Sequence, residues 1–133
     1  MTLIAGIDVG STYTKAVIID QDAKIIAKSI LSTGFLLAQS ARTAFLSCLT
    51  FSGLCESDIS YIIATGFGRH QVSFKDISVT ELTASAAGAR HFFPGASTVL
   101  DIGGQTTKVI CLDPEGRIQS FRFNDKCAAG TGA

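Results

Sequence analysis

Proline, tryptophan and charged side chains are scarce in this sequence. Its 133 residues include two prolines and no tryptophan, and Asp, Glu, Lys and Arg make up 17% of the chain against 47% hydrophobic residues. Disordered segments have the opposite composition, so intrinsic disorder is excluded. The length by itself predicts a single folded domain.

No charge of one sign dominates, and no long apolar run is present. The 11 basic residues balance the 11 acidic ones, so the chain lacks the broad basic surface that binds nucleic acid. The longest stretch poor in charge, residues 33–55, is interrupted by polar residues such as Gln39, Arg42 and Ser47. A spanning helix needs about 20 apolar residues. We therefore expect neither a nucleic-acid partner nor a membrane segment.

The four cysteines do not resemble a secreted disulfide scaffold. Because an apolar strand follows Met1 directly, we expect reduced thiols in a cytoplasmic protein. Cys48 and Cys55 are seven residues apart, and we expect both to be buried near one helical face. Cys127 lies in a segment rich in glycine and alanine after Lys126, where a thiolate would be accessible and stabilised.

Hydrophobic periodicity predicts an α/β fold with a mixed sheet. The predicted order is three strands, a helix, a strand, a short strand, a helix and a second group of three strands. The predicted strands are 3–8, 14–19, 24–31, 59–65, 77–81, 98–101, 107–112 and 117–123, and the predicted helices are 35–51 and 84–93.

An internal repeat relates the two groups of three strands. An offset of 93 residues, which carries position 8 to position 101, places DVGSTYTKAVIID on DIGGQTTKVICLD. Shared strand propensity would explain the matched apolar positions. It does not easily explain the identical residues at Asp-x-Gly and Thr-Lys, which pair Asp8 with Asp101, Gly10 with Gly103, Thr14 with Thr107 and Lys15 with Lys108. The repeat therefore predicts two copies of one functional turn.

The repeated Asp-x-Gly turn suits phosphate chemistry. Glycine lets a phosphate approach backbone N–H groups closely, and a carboxylate beside the turn can hold Mg²⁺ through water. One such turn alone favours an ordinary hairpin, whereas two at a fixed offset favour a clamp on a polyphosphate. The candidate phosphate ligands are Gly10, Ser11, Thr12, Tyr13, Thr14, Lys15, Gly103, Gly104, Gln105 and Thr106, with Asp8 and Asp101 as candidate Mg²⁺ ligands. For Lys15 and Lys108, a phosphate contact and a plain surface position stay equally open.

Five motifs together resemble a known family of ATPases. They are GIDVGSTYTK, TGFGRH, TELTASAAGA, DIGGQTTK and NDKCAAGTG. The turns resemble those of the actin, sugar-kinase and heat-shock-chaperone ATPases. The full set is similar to the ATP-dependent activators of 2-hydroxyacyl-CoA dehydratases and to the ATPase subunits of benzoyl-CoA reductases. The resemblance implies a ribonuclease-H-like subdomain over residues 1–95, followed over 96–133 by the first three-stranded meander of a second, truncated copy.

The resemblance also implies a function. ATP or ADP would bind with Mg²⁺, and Glu81 and Gln105 would serve catalysis by aligning water. Hydrolysis would drive a low-potential electron from a [4Fe–4S] cluster, shared by a homodimer, to a CoA-ester dehydratase or reductase. Cys127 matches one cluster ligand, but a cluster of this type needs four thiolates, so full assembly on this chain is not expected.

Two departures from the family pattern leave other functions open. Thr106-Thr107 stands where members commonly have Asp-Ser, and Tyr13 occupies a position more often held by a small hydroxyl residue. ATPase activity belongs to the full-length family, and we expect this chain alone to be incomplete for it. A small-molecule kinase of the same superfamily and a non-catalytic dimerisation or docking module are the alternatives.

Overall fold

In the computed structural model, which describes residues 1–124, strands and helices follow one another in nearly the order predicted. Neither α-helix of this part of the chain has the length and apolar character of a membrane span. The helices are α1 (Leu37–Ser52) and α2 (Glu81–Phe92), with short 3-10 helices at Glu56–Asp58 and Arg69–Gln71. The strands are β1 (Leu3–Val9), β2 (Tyr13–Asp20), β3 (Ile25–Ser32), β4 (Tyr61–Thr65), β5 (Ile77–Ser78), β6 (Thr98–Ile102), β7 (Thr107–Leu112) and β8 (Ile118–Asn124).

The first of two compact units, Met1–Val79, is built on a five-stranded sheet. Its strand order is β3-β2-β1-β4-β5, with β2 antiparallel to both β1 and β3, and β4 parallel to both β1 and β5. Parallel neighbours need a crossover, and α1 supplies it between β3 and β4. The predicted α/β class with a mixed sheet is confirmed.

The core of the first unit lies between this sheet and α1. Alternate residues of β1 are buried, as expected for a strand with one face on a helix. Phe45 of α1 is fully buried and stacks on Phe74, with ring centroids 5.2 Å apart. The helix ends at Gly53, whose left-handed backbone (φ 72°) returns its N–H to the last turn. This packing fixes β1, and with it the turn that follows.

The second unit starts at Thr80 and contains α2 with a three-stranded antiparallel sheet, β6-β7-β8. Ala86 of α2 is buried with Ile110 and Leu112 of β7 in a small core. The Thr80 side chain accepts a hydrogen bond from the Thr83 N–H at 3.3 Å and so caps the start of α2. The helix begins at Glu81, which brings that carboxylate to the first turn.

The sequence repeat is present in the backbone of both meanders. The bond that closes the first turn runs from the Gly10 N–H to the Tyr13 carbonyl at 3.0 Å, and its counterpart runs from Gly103 to Thr106 at 2.8 Å. A bulge falls at the same repeat position in each meander, between 18 and 19 and between 111 and 112. In each meander the turn after the second strand also has a residue with a positive φ at the equivalent repeat position, 60° at Ala23 and 85° at Gly116.

Two predictions about local structure are wrong. The predicted strand 77–81 ends at Ser78, because the chain turns there and Thr80 caps a helix. Cys48 is buried as expected, but Cys55 is exposed, because α1 has already ended when the chain reaches it. The division between residues 95 and 96 follows the sequence repeat and stays a prediction, whereas the contacts place α2 in the second unit.

Candidate functional site

The first predicted turn lies between β1 and β2 in the first unit. Asp8 and Lys15 are paired directly across the two strands, and the Lys15 Nζ lies 3.7 Å from Asp8 Oδ2. The side chains of Lys15 and Asp8 are 56% and 39% exposed, so both groups are accessible to solvent. Tyr13 is exposed at the end of the turn. The turn therefore presents a carboxylate and an ammonium group to solvent.

A hydroxyl braces this turn from behind. Thr33, which follows β3, donates to the Gly10 carbonyl at 2.8 Å and lies 2.8 Å from the buried Thr14 hydroxyl. The Thr33 N–H also donates to the Thr12 carbonyl at 2.9 Å. Sequence analysis missed Thr33, since its partners are about twenty residues away. The Thr14 hydroxyl is therefore used inside the fold, and Thr14 is also paired with Val9 and Leu31 in the sheet.

The segment after β4 approaches the same strand end. Gly66 has φ 94°, and a Cβ there would collide with Asp8 Oδ1 and lie 2.5 Å from the Val9 carbonyl oxygen. The next strand residue back, Thr65, is paired with Asp8 in the sheet, and its buried hydroxyl has no hydrogen-bond partner among the described residues. A glycine and an unsatisfied hydroxyl beside an accessible carboxylate fit a hydrated ion or phosphate.

The second predicted turn lies between β6 and β7 and carries the same pair, Asp101 opposite Lys108. Here the lysine side chain is only 10% exposed. Its Nζ lies 2.7 Å from Glu81 Oε2 and 3.8 Å from Asp101 Oδ2, and it donates to the Thr106 hydroxyl at 2.9 Å. Glu81 and Asp101, which sequence analysis selected for catalysis and metal binding, thus share one ammonium group.

Ser85 completes this cluster and was not foreseen. Its hydroxyl donates to Asp101 Oδ2 at 3.1 Å. It lies four residues after Glu81 on α2, which places both side chains on one face of the helix. That spacing was visible in the sequence, but its meaning depended on the packing of α2 against β6. The predicted water-aligning residue Gln105 lies at the tip of the turn and is exposed.

The described residues supply only part of the ligands that a bound metal ion needs. Within residues 1–124, no three His, Cys, Asp or Glu side chains are placed to hold an ion together. Magnesium fits this finding, because it keeps several waters and takes one or two carboxylates. An iron–sulfur cluster does not fit the described cysteines: Cys48 is buried, and burial raises the pKa of its thiol. Cys127 lies outside the described residues.

The sheet order and the repeated glycine turn define the class of the protein, an actin-like ATPase fold. The structure of component A of the Acidaminococcus fermentans (R)-2-hydroxyglutaryl-CoA dehydratase superposes with a TM-score of 0.91 at 37% identity, over 99% of this chain and 51% of the other. The activator of the Clostridium difficile 2-hydroxyisocaproyl-CoA dehydratase with bound ADPNP gives a TM-score of 0.88 at 35% identity, over 96% of this chain and 47% of the other.

Residues 5–133 match the BadF/BadG/BcrA/BcrD ATPase family, and the chain belongs to that family. The activator of lactoyl-CoA dehydratase from Anaerotignum propionicum is 43% identical over 96% of this chain and 49% of its own length. A benzoyl-CoA reductase subunit from Thauera aromatica is 32% identical over 99% of this chain and 48% of its own length. The chain spans about half the length of the curated relatives it matches. The resemblance inferred from the motifs is confirmed.

Proposed function

We propose that this chain carries the nucleotide-binding turns of an ATP-hydrolysing activator, which couples hydrolysis to electron delivery into a CoA-ester dehydratase or reductase. The observation that carries the proposal is the repetition of one hairpin, with the same closing bond and the same aspartate–lysine pair, in a member of an ATPase family. A relative of the same fold binds ADPNP, and other relatives are named as dehydratase activators.

In this proposal the two turns hold the phosphates. The Gly10 and Gly103 N–H groups and the Thr14 hydroxyl are already used inside the fold. The other backbone N–H groups and hydroxyls of residues 10–15 and 103–106 would donate to phosphate oxygens, and the exposed Lys15 would add a point charge. Asp8 and Asp101, whose side chains are 39% and 35% exposed, would hold Mg²⁺ through water. The ion would supply neutralisation of the phosphate charge.

Glu81 and Gln105 are proposed to align the attacking water. Glu81 Oε2 is already in contact with the Lys108 ammonium, so the carboxylate is held in a fixed direction. A carboxylate held in this way acts by accepting a hydrogen bond from water, which is a positioning role. The exposed Gln105 amide can both donate and accept at the mouth of the turn.

The electron-transfer part of the proposal rests on the family. A homodimer would share one [4Fe–4S] cluster, with Cys127 of each subunit as one ligand, in a cytoplasmic protein. Two copies of Cys127 supply two of the four thiolates that such a cluster needs. Cys48, Cys55 and Cys111, the cysteines of the described residues, are free thiols and belong to no group of three or more potential metal ligands there.

The proposal is tested with protein expressed from its complete gene and purified without oxygen. We expect ATP hydrolysis that depends on Mg²⁺, about four iron atoms per dimer, and loss of iron in Cys127→Ser with nucleotide binding retained. Cys55→Ser is the matched control, because Cys55 is an exposed cysteine that belongs to neither turn. Phosphorylation of a small molecule by an iron-free protein would replace this function with a kinase. Absence of nucleotide binding would favour a docking module.

A further inference from the structure

The two lysines that the repeat makes equivalent differ in their surroundings. Lys15 is 56% exposed and meets one carboxylate at 3.7 Å. Lys108 is 10% exposed and has Glu81, Asp101 and Thr106 around its ammonium group. A buried ammonium is tolerated only with partners that replace its water. These partners therefore account for the burial of Lys108.

The partners of Lys108 come from three different parts of the second unit. Glu81 is in the first turn of α2, Asp101 is near the end of β6, and Thr106 is the last residue of the turn. Lys108 itself is on β7. Its ammonium group thus ties the start of α2 to the strand end that precedes the glycine turn. Ser85 adds a second link between α2 and Asp101.

The ammonium of Lys108 is committed mainly to groups inside the fold. Of its three donors, two are used by Glu81 at 2.7 Å and Thr106 at 2.9 Å, while Asp101, at 3.8 Å, adds charge attraction beyond hydrogen-bond distance. Because its side chain is only 10% exposed, Lys108 presents little surface to a phosphate. Its removal would leave two carboxylates near each other without a counter-charge, and like charges at short range repel. The Glu81 side chain is 31% exposed and can swing outward into solvent.

We propose that Lys108 is a positioning residue, which holds Glu81 and Asp101 in the directions that the reaction needs and does not bind the nucleotide itself. The proposal rests on the function proposed above, and it divides the two equivalent lysines into one ligand, Lys15, and one internal counter-ion, Lys108. It also implies that the position of the first turn of α2, which carries Glu81, helps to set the arrangement of side chains at the second glycine turn.

The kinetic test compares Lys108→Met with Glu81→Gln and with the double variant. We expect Lys108→Met to lower kcat by about 100-fold, the loss typical of a misplaced catalytic group, and to leave KM for ATP within about threefold. The double variant should lose much less relative to Glu81→Gln than Lys108→Met loses relative to the wild type, because the part of the effect that passes through Glu81 is already absent and only the part that passes through Asp101 remains. Lys28→Met, which removes an exposed lysine of β3, is the control and should leave both constants unchanged. Lys108→Arg keeps the charge on a wider group and should recover part of kcat.

Two outcomes would overturn the proposal. One is a large rise in KM with kcat unchanged in Lys108→Met, which would make Lys108 a nucleotide ligand. The other is a double variant slower than Glu81→Gln by the full factor of Lys108→Met. If Lys108→Met does not fold, the same comparisons are made with Lys108→Arg, for which a lower kcat at unchanged KM is expected.

A crystal structure without nucleotide separates this proposal from the proposed function. In Lys108→Met or Lys108→Arg, we expect the Glu81 carboxylate to move by about 1 Å or more, a displacement large enough to affect catalysis. An unmoved Glu81 would overturn the positioning role even in an active ATPase. If the wild-type protein does not hydrolyse ATP, the proposed function is overturned. A displaced Glu81 carboxylate in the variants would still identify Lys108 as the residue that sets the direction of that carboxylate.

Discussion

The two hairpins have the same backbone and different supports. The first turn is braced by neutral groups, since the Thr33 hydroxyl bonds to the Gly10 carbonyl and Gly66 lies against Asp8. The second turn is braced by charge, through the ammonium of Lys108. One local sequence thus specifies one hairpin, and contacts from distant segments decide which of its side chains stay available to a ligand.

This difference gives each turn its own sensitivity. A neutral brace fails when its shape or its hydrogen bond is changed, at a cost that salt does not alter. A charged brace fails when its counter-ion is removed, because the remaining charges are partly buried. Changes to the neutral brace of the first turn should therefore act mainly on stability, and changes to the charged brace of the second turn mainly on the geometry of its carboxylates.

The largest expected effect is in the neutral brace, at Gly66. Gly66→Ala places a methyl group against Asp8 and the Val9 carbonyl in a backbone region that favours glycine (φ 94°). We expect a loss of at least about 3 kcal/mol in the free energy of unfolding, from strain and overpacking together. Urea denaturation followed by circular dichroism measures it.

Gly34→Ala is the matched control for this substitution. Gly34 also has a positive φ, 65°, but a Cβ there meets nothing within 4 Å. Only the backbone cost of about 1 kcal/mol is expected. Equal losses in the two variants would show that Gly66 does not support the strand end that carries Asp8.

The next effect concerns the hydroxyl that supports the first turn. Thr33→Val keeps the shape but removes both side-chain hydrogen bonds, and it leaves the buried Thr14 hydroxyl without this partner. A loss of about 1–3 kcal/mol is expected in urea denaturation. Thr50→Val, on the exposed side of α1, should change stability by less than about 0.5 kcal/mol. A Thr33→Val protein as stable as this control would contradict the brace.

The contrast between the lysines predicts a third, more selective effect. Lys15→Met removes an exposed ion pair, so stability should change by less than about 1 kcal/mol. The affinity for ADPNP should nevertheless fall about tenfold, because a point charge on phosphate is lost. Calorimetric titration measures it. An unchanged affinity would leave both lysines without a ligand role.

The smallest expected effect is a change in the pKa of Asp113, which lies in the turn after β7, the second strand of the second meander. The backbone N–H of Arg117, and then its side chain, lower the pKa of Asp113 below its ordinary value of 3.8. Because the folded-state pKa is lowered, the stabilisation is present above that ordinary value and is lost as pH falls through the folded value. Arg117→Met should raise the pKa only in part, because the backbone bond is the largest cause. An NMR titration of the carboxyl carbon tests this, and full restoration of 3.8 would contradict it.

Much of the fold was predictable because its signals are local. Alternation in β1 and the 3-to-4 spacing in α1 identify the elements, and the repeat identifies two equivalent turns. The start of α2 was misplaced, since β-branched residues before Thr80 favour a strand until the cap is recognised. Cys55 was misjudged because helical spacing was extended past the end of α1.

The candidate site was predictable in its turns and not in its supports. Asp8 and Asp101 are identified by the motif itself. Thr33, Ser85 and the burial of Lys108 depend on how α2, β3 and β7 pack, and no local pattern contains that information. The same lysine in the same motif could not be assigned to solvent or to an internal pair without the fold.

The account depends most on both turns contacting the phosphates of a nucleotide. The most direct measurement is calorimetric titration of ADPNP with Mg²⁺ into the protein expressed from its complete gene, compared with Gly10→Val and Gly103→Val. At both glycines an added Cβ would approach a carbonyl oxygen of its own turn, at 2.7 Å and 3.2 Å. The account predicts saturable binding by the wild-type protein and at least about tenfold weaker binding by each variant. Wild-type affinity in either variant would contradict it.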